Sequence, residues 1–391
     1  MFNLAGGGAE KVLVDILQHF DYNQYDVELA LVKKKGVYLP DIPKNVKITT
    51  LFNRISFMLG YGLLKYFNIH FVNKLIVQHR IKDNYDAIIS FMEGYPLVFH
   101  SYLTKQAKVN ISWIHSDLFS YHRTKYLSIH GDKLEKACYC KMDKLVFVSN
   151  DSYSQFDKLF DINVPKTVVY NPIPKESIIR SANNKPVEKN KFVIGNVARF
   201  VEVKRLDRLM RVAKRLKDDN YDIEFWLVGE GAIKDELMQL QKQLGLEDYV
   251  IFKGFQKPSY PYMKQFDLFL LTSLVEGYPL VVCEAMCLGI PICATRTTGT
   301  IEILDNGNFG VLTEHDDDSI YNAVKALLDN REQLNYYHEK SVERSAMFNI
   351  DKTMEEIYAL FKQNQFFNSN IKKSHPSQSS SSTIWQSDCI A

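Results

Sequence analysis

The chain has 391 residues, 46% of them hydrophobic, with 48 Lys plus Arg against 46 Asp plus Glu, enough apolar material for two or three domain-sized cores. A formal net charge of +2 excludes a surface built throughout to track nucleic acid, and the composition excludes disorder of the whole chain. Six cysteines, Cys138, Cys140, Cys283, Cys287, Cys293 and Cys389, are too sparse for a disulfide scaffold and lack zinc-site spacing, so a reducing compartment is expected.

In chain order, the start Met1 to Gly8 lacks the basic and apolar regions of a signal peptide, and no uncharged apolar run approaches membrane-spanning length. These features predict a cytoplasmic protein. A helix is expected from about Glu10 to Phe20, then strands near Val27 to Val32, Ala87 to Phe91, Ile111 to Ile114 and Leu145 to Val148, with a helix around Lys133 to Lys141. From Ile42 to Lys82 there is no acid, while Lys44, Lys47, Arg54, Lys65, Lys74, Arg80 and Lys82 are interleaved with aromatics. That composition suits an interfacial helix on an anionic membrane surface. The competing reading is an ordinary core stripe of Leu64, Phe67, Phe71 and Leu75 under solvated cations.

Residues 172–190, with Pro172, Pro174 and Pro186, read as a linker. Beyond it, strands near Lys191 to Val197, Ile223 to Val228, Tyr249 to Lys253, Asp267 to Leu271, Pro291 to Ala294 and Gly310 to Leu312 alternate with amphipathic stretches, the pattern of βα units on a parallel sheet. One helix, about Arg205 to Asp218, carries Leu206, Leu209, Met210, Ala213 and Leu216 on one face. The expected organisation is an N-terminal domain over 1–171, a linker over 172–190, a C-terminal domain over 191–347, a helix over 348–366 and a disordered tail over 367–391.

The strongest motif is Ser273-Leu274-Val275-Glu276-Gly277-Tyr278-Pro279-Leu280-Val281-Val282-Cys283-Glu284, placed after a strand. Pro279 suits a first helical turn and Gly277 a close approach of backbone, so the free amides there can bind an anion such as a diphosphate. A solvated Glu276 and a surface Glu284 would give the same spacing by chance. The second cluster, Arg199 and Lys204, follows the first strand of the same domain, where ligands of open α/β sheets bind. Asp316-Asp317-Asp318 reads as a helix N-terminus rather than a metal site, and Cys283 with Cys287 as small core residues.

Taken with Gly6-Gly7-Gly8-Ala9-Glu10, Trp113-Ile114-His115-Ser116-Asp117, Tyr170-Asn171-Pro172-Ile173, Gly229-Glu230-Gly231 and Lys253-Gly254-Phe255, these motifs resemble the retaining glycosyltransferases of family 4, over roughly Gly6 to Phe361. The resemblance implies an α/β GT-B architecture, two facing Rossmann-like doubly wound domains with the last helix returning to the first. It implies hexose transfer from a nucleotide sugar, UDP- rather than GDP-linked, to a glycan or lipid-linked acceptor in cell-surface polysaccharide or lipopolysaccharide synthesis. It implies no cofactor and no metal; the charge balance argues against nucleic acid, and the basic aromatic stretch over residues 42–82 suits a peripheral place on the inner membrane face. By the same resemblance His115, Glu276, Arg199 and Lys204 form the active site, while Gly7, Gly8, Gly277, Tyr278, Leu280 and Glu284 join Arg199 and Lys204 on the donor. A non-catalytic GT-B subunit or a nucleotide-sugar epimerase on the same fold are the alternatives. One departure stands out: family members have an apolar strand before the glycine loop, whereas only Met1-Phe2-Asn3-Leu4-Ala5 precede Gly6 here. A missing first strand is expected to leave neighbouring strand edges unpaired and a core groove uncovered, so that either translation starts further upstream or this copy is truncated and poorly stable.

Overall fold

The computed structural model describes residues 1–120 and 127–371. The chain divides into two compact units, the first running from Met1 to Tyr170 and taking in the chain from Asp351 on, the second Asn171–Ile350.

In the first unit β1 (Glu28–Leu31) and β2 (Lys47–Thr50) form a parallel pair, and β3 (Tyr85–Ser90), β4 (Ala107–Ile114), β5 (Lys144–Phe147) and β6 (Lys166–Val168) form a separate parallel sheet in chain order. The edge of β1 is not left bare as the sequence led us to expect. Val32 and Lys33 donate backbone N–H to Met1 and Phe2 carbonyls at 3.1 and 2.9 Å, and Leu4 N–H donates to Lys35 at 2.9 Å. Leu4 is fully buried there, so the residues before the glycine loop do a strand's work of pairing. The core of this unit gathers Leu97, Ile114, Leu145, Phe147 and Phe156 between the sheet and its helices.

The basic aromatic segment forms two helices, Arg54–Phe67 and Phe71–Arg80. Asn68, in the left-handed region at φ 53°, ends the first. The break rotates the second helix relative to the first, so the single stripe foreseen over Leu64, Phe67, Phe71 and Leu75 does not hold. Leu64 and Val77 are buried, whereas Phe67 and Phe71 are each 67% exposed and Leu75 is 51% exposed. The helices are joined instead at Gly60, whose carbonyl accepts from Asn73 Nδ2 at 2.9 Å; a Cβ at Gly60 would lie 2.0 Å from Asn73 Oδ1.

The second unit carries one parallel sheet of β7 (Phe192–Val197), β8 (Ile223–Val228), β9 (Val250–Gly254), β10 (Leu268–Leu271), β11 (Ile292–Thr295) and β12 (Val311–Thr313), in the order β12-β11-β10-β7-β8-β9. The chain therefore builds outward from β7 in one direction, then returns to β7's other side at β10. The Leu206–Asp218 helix buries Leu206, Leu209, Met210, Ala213 and Leu216, together with Val212, over this sheet. Asp316 caps the Asp317–Asp329 helix by accepting the Ser319 N–H at 2.7 Å, and Asp317 and Asp318 pair with Arg211 and Arg215.

Two boundaries differ from expectation. The stretch 172–190, read from its prolines as a linker, contains the helix Lys175–Ala182. Pro174 sits at its N-cap rather than inside it, and Ile178 and Ala182, one turn apart, are buried against the helices Tyr260–Met263 and Leu280–Cys287. The last helix runs Ile350–Ile371, into the stretch expected to be disordered; the remainder of that stretch, 372–391, lies outside the described residues. This helix packs on the first unit: Tyr358 stacks on Tyr25 at 5.3 Å, and its hydroxyl accepts the Asp21 N–H at 2.8 Å.

Candidate functional site

The topology of the second sheet selects a place before any residue is consulted. Neighbouring strands whose outgoing chains run to opposite sides leave a crevice at their carboxyl ends, and in this sheet those strands are β7 and β10. Arg199 and Lys204 follow β7, and Ser273 to Leu280 follow β10. The two loops are tied together. Leu274 N–H donates to the Val203 carbonyl at 2.8 Å, and the Thr272 hydroxyl lies 3.0 Å from the carbonyls of Lys204 and Arg205.

At the centre, Lys204 Nζ lies 2.5 Å from Glu276 Oε1, and the Ser273 hydroxyl donates to the same oxygen at 2.6 Å. Both side chains are largely buried, at 22% and 11% exposure. Glu276 Oε2 has no partner among the described residues and is free to meet a ligand. The Glu276 carbonyl is held from behind by the Thr298 hydroxyl at 2.9 Å and the Gly299 N–H at 3.0 Å. Gly299 is required by proximity, because a Cβ there would stand 2.6 Å from Pro279 Cδ and 2.8 Å from the Gly277 carbonyl oxygen.

Pro279 occupies the N-cap of the Leu280–Cys287 helix. The amides of Leu280 and Val281 therefore have no intrahelical acceptor and form a positive helix end beside the ion pair. Glu284 lies one turn inside, only 5% exposed, and accepts a hydrogen bond from the buried Tyr260 hydroxyl at 3.0 Å. Cys283 and Cys287 are buried on the same helix, where burial pushes both thiols well up, Cys287 to about 12, and they serve packing. Arg199 is exposed at the end of β7. Beside it, Gly229 at φ 146° and Gly231 let the loop after β8 approach so closely that a Cβ on either would fall about 2 Å from the carbonyl oxygen of Ala198 or Phe200.

In the first unit the expected residues sit in two places. Gly7 caps the Gly8–Gln18 helix, and the Glu10 carboxylate accepts the N–H groups of Gly6 and Gly7 at 2.6 and 2.7 Å. The glycine loop's amides are thus answered by the chain's own third helical residue, and any anion approaching Gly7 meets that carboxylate. His115 follows β4, with its ring 4.7 Å from Phe91 and 6.0 Å from Trp113 between ring centres. Burial lowers its pKa to about 3, so the imidazole is neutral at physiological pH, and its Nε2 is buried without a partner among the described residues.

The structure thus brings Lys204 and Glu276 into contact, a pairing the sequence reading did not foresee although it named both residues, with Arg199 on the same loop as Lys204 and Glu284 a turn further into its helix. That reading missed Tyr260 and Ser273 as their partners, and Glu93, whose carboxylate accepts the His115 N–H at 3.1 Å. Tyr260 carries no local signal; it is brought to Glu284 by the chain's return to β10.

The profile of the family described as glycosyl transferases group 1 matches residues 177–344, within the second unit. A Campylobacter jejuni protein, N-acetylgalactosamine-N,N'-diacetylbacillosaminyl-diphospho-undecaprenol 4-alpha-N-acetylgalactosaminyltransferase, is 26% identical over 363 residues, covering 89% of this chain and 94% of its own. Among solved structures, Anabaena HepE in complex with UDP and glucose superposes with a TM-score of 0.72 at 20% identity, covering 94% of this chain and 98% of its own. The lipopolysaccharide outer core galactosyltransferase WaaB superposes with a TM-score of 0.64 at 18% identity, over 95% and 99% of the two chains. The chain therefore carries a glycosyl transferases group 1 domain over residues 177–344, within a GT-B fold.

Proposed function

We propose that this protein transfers a hexose, with retention of configuration, from a UDP-sugar to a lipid-linked glycan in cell-surface polysaccharide or lipopolysaccharide assembly. The observation that carries the reading is the Lys204–Glu276 pair at the point where the chain reverses direction across β7 and β10. Cleavage of the donor's anomeric C–O bond sends negative charge to the departing diphosphate and leaves oxocarbenium character on the sugar. Lys204, Arg199 and the amides of Leu280 and Val281 oppose the first, so they stabilise the transition state more than the ground state and need no metal ion. Glu276, through Oε2, takes a hexose hydroxyl, and Glu284, oriented by Tyr260, takes the ribose hydroxyls. The acceptor hydroxyl forms its bond on the same face of the sugar that the diphosphate leaves, and its proton passes to the leaving phosphate oxygen. Neutral His115 supplies a hydrogen bond to the hexose rather than a charge, with Gly7 and Gly8 shaping the adjoining loop.

The uridine donor is supported by HepE, solved with UDP and glucose, and the lipid-linked acceptor by the diphospho-undecaprenol in the Campylobacter relative's name. Among the described residues no helix is long and apolar enough to cross a membrane. The Arg54–Phe67 and Phe71–Arg80 helices instead offer Ile55 (81% exposed), Met58, Leu59, Phe67 and Phe71 beside Arg54, Lys65 and Lys74, which suits an anionic leaflet of the inner membrane face. Incubation with UDP- and GDP-sugars and a polyprenyl-diphosphate glycan, followed by NMR of the anomeric centre, tests the chemistry. The expected product keeps the donor's configuration, forms from UDP-sugars and forms undiminished in EDTA. Inversion, epimerised free donor, or turnover abolished by EDTA overturns the reading. Sedimentation with phosphatidylglycerol vesicles tests the surface: the protein pellets at low salt, and reversing Arg54, Lys65 and Lys74 to Glu releases it.

A further inference from the structure

The hexapeptide that opens the donor site occurs twice. Glu276-Gly277-Tyr278-Pro279-Leu280-Val281 in the second unit is repeated, residue for residue, as Glu93-Gly94-Tyr95-Pro96-Leu97-Val98 in the first. Each copy follows a strand of a parallel sheet, β10 or β3, and leads into a helix, Leu280–Cys287 or Tyr95–His100. In each copy the glutamate reaches sideways to the loop that follows the neighbouring strand. Glu276 reaches from β10 to Lys204 after β7; Glu93 reaches from β3 to His115 and Ser116 after β4. Each carboxylate also takes a serine hydroxyl, from Ser273 and from Ser116.

The contacts of Glu93 are specific. It is 8% exposed, one oxygen accepts the His115 backbone N–H at 3.1 Å, and the other accepts the Ser116 hydroxyl. Two residues before it, Phe91 packs its ring 4.7 Å from the His115 ring. The loop after β3 therefore fixes both the backbone and the ring plane of His115, whose buried Nε2 has no partner among the described residues. Burying a carboxylate costs free energy unless hydrogen bonds hold it, so the arrangement is demanding to keep. Its return is a histidine whose orientation is set from two sides.

We propose that Glu93 is a positioning residue of the transfer reaction, holding His115 by its backbone N–H and the neighbouring Ser116 hydroxyl as Glu276 holds Lys204. The proposal rests on the reading that His115 meets the transferred hexose. Glu93→Met keeps the length and removes both acceptors, whereas Glu93→Gln keeps both bonds, its oxygen accepting from His115 and its amide donating to Ser116 Oγ. Losing both buried acceptors lowers kcat about 10- to 100-fold in Glu93→Met. UDP affinity, measured by calorimetry, stays unchanged, because the proposed nucleotide contacts lie in the second unit. Glu93→Gln keeps most of the activity, and Ser116→Ala, which leaves the carboxylate and its bond to His115 in place, gives a smaller loss. In the His115→Ala background Glu93→Met costs nothing further. Wild-type kcat in Glu93→Met with His115→Ala impaired overturns the proposal, as does a double-mutant loss equal to the product of the single losses, or Glu93→Gln as impaired as Glu93→Met. If Glu93→Met does not fold, Ser116→Ala with wild-type kcat overturns it. Wild-type kcat in His115→Ala instead overturns the underlying reading of the histidine.

Discussion

Replacing Lys204 by alanine removes a cation 2.5 Å from Glu276 Oε1 and leaves a carboxylate that is 11% exposed, with the Ser273 hydroxyl as its partner among the described residues. At an effective dielectric of about 20 the gross attraction at that distance is about 7 kcal/mol, most of it offset by the desolvation of two charges. What survives is of the order of a charge-assisted hydrogen bond, about 1.5 to 3 kcal/mol. With both side chains less than a quarter exposed, little of this is screened away by solvent. A domain of about 150 to 250 residues loses about 2 to 4 °C in Tm per kcal/mol, so Lys204→Ala is expected to melt roughly 3 to 12 °C below the parent. Adding Glu276→Gln removes the stranded charge, and the double variant is expected to be about 1 kcal/mol more stable than Lys204→Ala alone. Transfer should fall in parallel, with kcat/KM down about 10- to 100-fold from the lost diphosphate contact. Thermal melts of the four proteins of the cycle, with calorimetric UDP titrations, measure both. A double variant no more stable than Lys204→Ala would refute the coupling, and wild-type kcat/KM in Lys204→Ala would place the diphosphate away from this pair.

Three further outcomes follow from the geometry. Gly299→Ala forces a Cβ to within 2.6 Å of Pro279 and is expected to cost about 1 to 3 kcal/mol and raise the donor KM; an unchanged melt would show that the loop yields. Glu284→Gln keeps the Tyr260 contact but weakens the acceptor offered to ribose, so donor KM should rise with Tm intact; KM at the parent value would remove Glu284 from the site. His100 is buried between Ser90 and Asn110, and burial lowers its pKa to about 4, below the unfolded value near 6.5. The unfolded chain takes up that proton first, so this contribution is complete above about pH 6.5 and is lost as pH falls toward 4, by up to about 3 kcal/mol. Urea melts should show the fall, and His100→Gln should flatten it; an equal slope in both would assign the acid sensitivity elsewhere.

Much of the architecture could be read from pattern. The strands of the second unit announce themselves as short Val-, Ile- and Phe-rich runs because strands of a parallel sheet are covered on both faces, and the Leu206 to Leu216 stripe lies where a helix covers that sheet. The ion-pair partners were nameable because a cation after one strand and a glutamate after another meet wherever those strands are neighbours. That β7 and β10 are neighbours is a fact of topology, invisible in a window of either segment. The stripe over Leu64, Phe67, Phe71 and Leu75 failed for a related reason: a single left-handed residue, Asn68, reset the helical phase between its members.

The repeated hexapeptide separates the two contributions most clearly. By itself the sequence determines that each copy is a strand-to-helix turn, since glycine frees the backbone, proline disfavours a preceding strand ladder, and Leu-Val starts an apolar helical face. It does not determine how the turn is made. In the first unit Gly94 takes φ 81° and the helix starts at Tyr95, while in the second Pro279 is the N-cap and the helix starts at Leu280. Nor does it determine what the glutamate holds, a histidine loop in one unit and a lysine in the other. Identical residues reach different partners because the neighbouring strand, chosen by long-range packing, supplies whatever its own loop carries.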